Sequence, residues 1–306
     1  MERRKFIRSL SGATIGLATV SSVGFFRNHK KLTILHTNDT HSHIDPFPLS
    51  HSKYPGKGGV ENRLKLIQDI RAQNKHVLLL DAGDIFQGTP YFNVHKGELE
   101  LKLMTAMGYD AATMGNHDFD AGIDGFERVM HHAKFPFLCS NYDFRNTILK
   151  DKTKPYQIFK KGSIKVGVFG VGVELDGLVS PDLYKETQYI NPIEKANQIA
   201  NHLKKEEKCN LVICLSHLGY SPRFNKFCDP LLAKETEGID LIIGGHSHTF
   251  MEKAEMHKNK NGSPVLINQV GWAGLFLGRI DFYFDEKDEL NSFSGLQLNT
   301  NYELKT

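Results

Sequence analysis

Four short apolar runs, Leu32-Thr-Ile-Leu-His36, Val77-Leu-Leu-Leu-Asp81, Leu211-Val-Ile-Cys-Leu215 and Leu241-Ile-Ile-Gly244, each stop a few residues before a side chain able to ligate a metal. Runs of this length, rich in Val, Ile and Leu and closed by polar turns, read as buried β-strands. Asp39 and His41 follow the first, Asp84 the second, His217 the third, and His246 with His248 the fourth, while Asn116 forms a further patch between Asp84 and His217. The pattern brings these side chains together at one edge of a sheet. It also predicts an α/β architecture, because helix-like segments over 59–72, 98–107, 124–132, 192–206 and 230–237 alternate with strand-like runs such as 135–139 and 164–173. Val60, Leu64, Ile67 and Ile70 in the first helix fall at helical spacing, as expected of a helix lying on a sheet. Over 265–267 and 275–284 strand follows strand, which predicts closure by antiparallel pairing.

Carboxylate, amide and imidazole without thiolate suit hard-to-borderline divalent ions such as Mn, Fe(II), Co or Zn. Seven such side chains are too many for one tetrahedral ion, so two metals are the economical expectation. Two divalent ions against the two carboxylates Asp39 and Asp84 would leave a surplus of positive charge, which favours an anionic, phosphate-like substrate.

The ligands sit in five blocks: Thr37-Asn-Asp-Thr-His-Ser-His43, Gly83-Asp-Ile-Phe-Gln-Gly88, Gly115-Asn-His-Asp-Phe-Asp120, Ser216-His-Leu-Gly219 and Gly245-His-Ser-His248. This set resembles the calcineurin-like metallophosphoesterases, and the first three blocks resemble the N-terminal domain of the 5′-nucleotidase family. Gly58-Gly-Val-Glu-Asn-Arg63, Ser140-Asn141 and the closing Gln269-Val-Gly-Trp-Ala-Gly-Leu-Phe-Leu-Gly-Arg279 agree with it. The likeness spans residues 31–285. It implies a single domain built as a four-layer α/β/β/α sandwich. It also implies that Asp84 bridges two metals, with Asp39, His41 and His248 completing one and Asn116, His217 and His246 the other. The reaction implied is hydrolysis of a phosphate ester, a nucleotide first among the candidates.

His117 follows Asn116, and neighbouring side chains on a turn diverge, so His117 is expected to face the substrate with Asp120 orienting it. The resemblance implies that this pair is a catalytic dyad. Asp120 would otherwise serve as a helix cap, but Asp124 and Glu127 form a capping-box-like pair downstream that leaves it free. Asp118 is expected to bond the loop rather than do chemistry. His36, His43 and His51 stay outside the ligand count, with His43 expected just behind the ligands.

Residues 1–28 differ from the rest of the 306-residue chain. Arg3-Arg-Lys-Phe-Ile-Arg8 precedes a mildly apolar stretch without an acidic residue, which reads as a targeting segment resembling a twin-arginine signal. It predicts an exported, periplasmic or cell-envelope protein that meets the membrane only during export, or through an uncleaved anchor. A net charge of +3 with 15 His gives no case for a nucleic-acid polymer as partner. Cys139, Cys209, Cys214 and Cys228 lack any C-x-x-C partner and are expected to be buried thiols. Residues 286–306 read as a polar tail, too short for the nucleotide-binding domain that typical 5′-nucleotidases carry. The expected activity is therefore exercised alone or with a separately encoded recognition domain. Two alternatives are hydrolysis of another ester (a cyclic nucleotide, a nucleotide sugar, a sulfur-bound ester) and a metal-bearing subunit with little activity of its own. The presence of His117 and Asp120 argues against the last.

Overall fold

The computed structural model describes residues 30–222 and 226–300; the expected targeting segment 1–28 lies outside the described residues. Two sheets form the centre. The first contains β1 (Lys30–Thr37), β2 (Val77–Asp81), β3 (Ala111–Ala112), β12 (Phe276–Phe284) and β13 (Leu290–Asn299), in the order β13-β12-β1-β2-β3. The second contains β5 (Tyr156–Lys161), β6 (Ile164–Gly172), β8 (Leu211–His217), β9 (Leu241–Gly244), β10 (Glu255–Lys258) and β11 (Pro264–Asn268), in the order β10-β11-β9-β8-β6-β5. A small ribbon pairs β4 (Tyr142–Asp143) with β7 (Gln188–Tyr189). Strands β1, β2 and β3 run parallel to one another, as do β6, β8, β9 and β11, so within each sheet the C-terminal strand ends fall on one edge.

The continuous apolar runs follow from burial on both faces of each sheet. In β8, Leu211, Ile213 and Leu215 join Leu32, Ile34, Leu78, Leu80 and Phe282 in the layer between the sheets. The alternate residues Val212 and Cys214 face outward, onto Ala196 and Ala200 of α6 (Pro192–Asn201) and Leu232 of α7 (Asp229–Glu235). On the other side, Leu35 and Leu79 pack beneath Leu66, Ile67 and Ile70 of α1 (Val60–Gln73), Leu101 and Met104 of α3 (Glu98–Met107), and Phe126 of α4 (Gly122–Met130). The result is the expected α/β/β/α sandwich.

Short helices at α2 (Pro90–His95) and α5 (Pro181–Tyr184) were not expected from periodicity, being too short to show any. Asn191 caps α6 by accepting from the amides of Ile193 and Glu194, with Pro192 in the first turn. The expected helix over 192–206 changes to a π-helical turn at His202–Glu206. The run 135–139 forms isolated bridges, Ala112 with Phe137 and Leu138 with Lys154, and no named strand. The expected capping pair also fails. Gly122, at φ 71°, starts α4 early with Ala121 at the cap position, so Asp124 lies inside the first turn, bonded to Lys185, and Glu127 pairs with Lys152.

Residues 290–299, read from sequence as part of a polar tail, are the edge strand β13, paired antiparallel with β12. Only Leu298 of this strand is buried, so its sequence carries little apolar signal. All four cysteines are free and buried. Among the described residues no helix is long and apolar enough to cross a membrane.

Phe282 is fully buried between the sheets, whereas Leu296 on β13 is 43% exposed. Phe282→Ala should lose about 3–5 kcal/mol of unfolding free energy, and Leu296→Ala about 0.5 kcal/mol or less, both read from urea denaturation midpoints.

Candidate metal centre

His217 is the last residue of β8, and the other six sequence-predicted ligands lie on loops just past the C-terminal ends of β1, β2 and β9 and on the turn after β3. Ligand crevices in α/β sheets characteristically form at such an edge. Asp39, His41 and His248 make one cluster and Asp84, His217 and His246 a second, each with its ligand atoms within 4.8 Å of one another. Asn116 joins the second through its Oδ1, 2.8 Å from Nδ1 of His246.

The two clusters touch. Oδ2 of Asp84 lies 3.1 Å from Nε2 of His217 and 3.8 Å from Nε2 of His41, so this carboxylate faces both groups. The Nε2 atoms of His41 and His248 face each other at 3.0 Å, and Oδ1 of Asp39 is 3.5 Å from Nε2 of His248. Nε2 of His217 is buried with no aligned hydrogen-bond partner. An orphaned imidazole nitrogen aimed at carboxylates, with nitrogen and oxygen donors converging, fits a divalent ion.

Other contacts fix the ligand rings. His217 Nδ1 sits 2.7 Å from the Ala82 carbonyl, which leaves Nε2 for the site. His41 Nδ1 is 3.3 Å from the Phe86 carbonyl. Asn38 donates to Oδ2 of Asp39, and the His246 amide donates to both oxygens of the same carboxylate. The backbone is strained here: Asp39, His41, Asp84, His246 and His248 all have φ between 47° and 70°, a region costly for residues with a Cβ. Gly115 has no such freedom to trade, because a Cβ on it would lie 2.2 Å from Oδ1 of Asp84.

Electrostatics follow the geometry. Burial alone would lower the His217 pKa, but the adjacent Asp84 carboxylate outweighs it and holds the imidazole up to about 10. Burial works against ionised Asp84 too, yet His217, His41 and His117 together keep it below the usual carboxylate range. His246 is pushed down to about 4 by burial and by His217, so it is a neutral donor at physiological pH.

His117 opens a single 3₁₀ turn, His117–Phe119. Its Nδ1 is 2.8 Å from Oδ2 of Asp120, its ring centroid 5.2 Å from that of His41, and its side chain 38% exposed. The bond to Asp120 raises its pKa against partial burial. Asp120 ends the 3₁₀ turn through its backbone amide, while its carboxylate caps no helix and accepts from His117. Asp118 binds the loop, as the sequence suggested: its carboxylate accepts from the amides of Asp84, Ile85, Phe86 and Gly115 at 2.8–3.1 Å.

Two neighbours carried no individual role in the sequence. Asn38 pins the first loop to the last, donating to the Gly271 carbonyl and accepting from the Val270 amide. Trp272, the single tryptophan, stacks on the His248 ring at 5.8 Å and 8°. Both lie inside the quoted blocks, but only the fold shows what they touch. His36, by contrast, is fully buried and bonded to Asn268, away from the ligands.

This geometry and the sequence agree on the family. The chain belongs to the calcineurin-like phosphoesterases, whose sequence model matches residues 32–250. A snake venom 5′-nucleotidase from Crotalus adamanteus is 33% identical over 287 residues, which cover 87% of this chain and 47% of that protein. The trifunctional nucleotide phosphoesterase protein YfkN of Bacillus subtilis (strain 168) is 35% identical over 288 residues, 84% of this chain and 18% of that one. Among solved structures, a 5′-nucleotidase precursor from Thermus thermophilus matches with a TM-score of 0.79 at 32% identity, covering 88% of this chain and 54% of that chain. The chain thus spans about half the length of the venom and Thermus proteins. Membership implies divalent metals, and the two clusters are the candidate sites for them.

Removing the Asp118 carboxylate would orphan four backbone donors in a buried loop. Asp118→Ala should therefore cost about 3 kcal/mol or more of stability, measured by urea denaturation, and should speed metal loss on dialysis. Full retention of both properties would show that the loop holds its shape without it.

Proposed function

We propose that this chain is an exported phosphohydrolase with a dinuclear metal centre, acting on nucleotides. The observation that carries the dinuclear reading is Asp84, one carboxylate facing both clusters. Asp39, His41 and His248 would complete one metal and Asn116, His217 and His246 the other. Bound there, the ions would polarise the phosphoryl group and lower the pKa of water at the site. Only two of the seven donors are carboxylates, so the loaded site keeps the net positive charge that a phosphate ester needs.

The remaining work falls to His117 and Asp120. Water adds to phosphorus in line with the departing oxygen, the P–O bond breaks, and phosphate and an alcohol result. Asp120 holds His117 toward its protonated form, and Nε2 is the ring nitrogen left to give a proton to the departing oxygen or to bond a phosphoryl oxygen. The names of the relatives support nucleotides as substrates. Export rests on the Arg3-Arg4 segment.

The test is hydrolysis by metal-loaded protein of AMP, a generic aryl phosphate, a cyclic nucleotide and a nucleotide sugar, alone and with a nucleotide-binding domain of the 5′-nucleotidase type supplied separately. Cleavage of none of them by protein holding two metals would end the enzyme reading. In the same assay His117→Ala should lower kcat by about 10²–10⁴ with metal content unchanged; lost metal would make His117 a ligand instead. Asp84→Asn should reduce occupancy of both metals, and unchanged stoichiometry would remove the bridge. A separate fractionation experiment addresses export: with Arg3→Lys and Arg4→Lys together the protein should stay in the cytoplasm, and normal export of that variant would refute the twin-arginine assignment.

A further inference from the structure

Beside the metal centre lies a cavity of about 560 Å³ that none of the roles above uses. One wall is the loop after the first ligand block, with His43, Pro46 and Phe47; the other is α2, with Tyr91, Val94 and His95. The walls are braced together. Thr89 Oγ1 donates to the Ser42 carbonyl at 2.8 Å, and the Tyr91 hydroxyl donates to Asp45 at 2.7 Å. The space is therefore built into the fold, and its size is that of a small-molecule site.

Its position ties it to the chemistry. His43 is two residues beyond the ligand His41, and Thr89 is next to Gly88, where an added Cβ would meet the His41 carbonyl at 2.7 Å. A run of touching rings joins the two places: His248 stacks on Trp272, Trp272 meets the His43 ring at 5.2 Å and 88°, and His43 stacks on Phe47 at 5.0 Å and 26°. Those last two rings line the cavity, and across it Tyr91 and His95 lie nearly parallel at 19°. Val94, 74% exposed, completes that side.

We propose that this cavity is the leaving-group subsite, which takes the nucleoside of the ester by stacking its base between the His43–Phe47 and Tyr91–His95 walls. The proposal rests on the nucleotide-hydrolase reading and gives it a specificity. Flat rings bounded by proline and valine reward any aromatic base, because every base has a π face. Of the polar side chains in the lining, Asp45 and the Tyr91 hydroxyl are engaged with each other and Thr89 with the Ser42 carbonyl, while His43 and His95 belong to the stacked rings. The subsite therefore favours an aromatic leaving group over a bare sugar and discriminates little among bases.

The experiment compares AMP with ribose 5-phosphate on metal-loaded protein, and adenosine with ribose on metal-free protein. AMP should show a KM at least about tenfold lower than ribose 5-phosphate, the equivalent of one stacked base. Val94→Arg, which puts a long charged chain into the cavity from an exposed helix position, should shrink that ratio to near one. Adenosine, and not ribose, should give a saturable change in emission of Trp272, whose ring is 6.0 Å from Phe47, and Val94→Arg should abolish it. Equal KM values for the two esters, a ratio indifferent to Val94→Arg, or no adenosine response would overturn the subsite, as would occupation of the cavity by another polypeptide that adenosine fails to displace. If neither ester is cleaved, the hydrolase reading falls while the adenosine titration still decides the cavity by itself.

Discussion

Asp39 and Asp84 are buried carboxylates whose ion pairs among the described residues are all with imidazoles. Burying an ionised carboxylate costs several kcal/mol unless positive charge and hydrogen bonds meet it. Without a metal, protonated His217 supplies part of that charge, which is why its pKa rises despite burial. A divalent ion held there would meet that charge better, with His246 and Asn116 as the neutral donors beside it. The architecture is the set of supports that keeps these anions dry, close and facing one another.

The supports are of three kinds. Parallel strands within each sheet end on a common edge, so short loops suffice to bring ligands together. Asp118 gathers four amides into one carboxylate and so shapes the Asp84 loop from behind. Five of the candidate ligands are held in left-handed backbone conformations that the surrounding bonds over-determine. Strain of about 1–3 kcal/mol at each such residue persists only where packing enforces it, and here it aims the side chains inward. Glycine would relieve that strain but would remove the ligand.

Charge and shape divide the work of recognition. In the proposed mechanism the candidate ligand set, poor in carboxylates, would suit any phosphate ester, and His117 with Asp120 would add a proton donor at its exposed rim. The braced cavity beside it is apolar and ringed by aromatic side chains, so it addresses the other end of the substrate. The Trp272–His248 stack lies between the two regions, with Trp272 also against the His43 and Phe47 rings of the cavity wall.

Much of this was legible in the chain. Apolar runs ending in Asp or His pointed to the α/β class and to the candidate donors that the fold gathers, because strand burial and donor chemistry are local in sequence. The loop-bonding part of Asp118 and the burial of the cysteines were visible for the same reason. Other features were not. With a single buried residue, β13 lacks apolar contrast, so it looked like a tail, and Asp124 with Glu127 looked like a cap because the early start of α4 at Gly122 leaves no short-range signature. The sequence by itself determined which donors exist and in what order they occur. Only the tertiary structure decided how close they come: each cluster takes donors from both sheets, β1 or β2 in one and β8 or β9 in the other, and the apolar layer between the sheets sets which side chains meet. A cavity formed by residues 43–48 and 89–95 depends on the same long-range packing, which no spacing within either segment encodes.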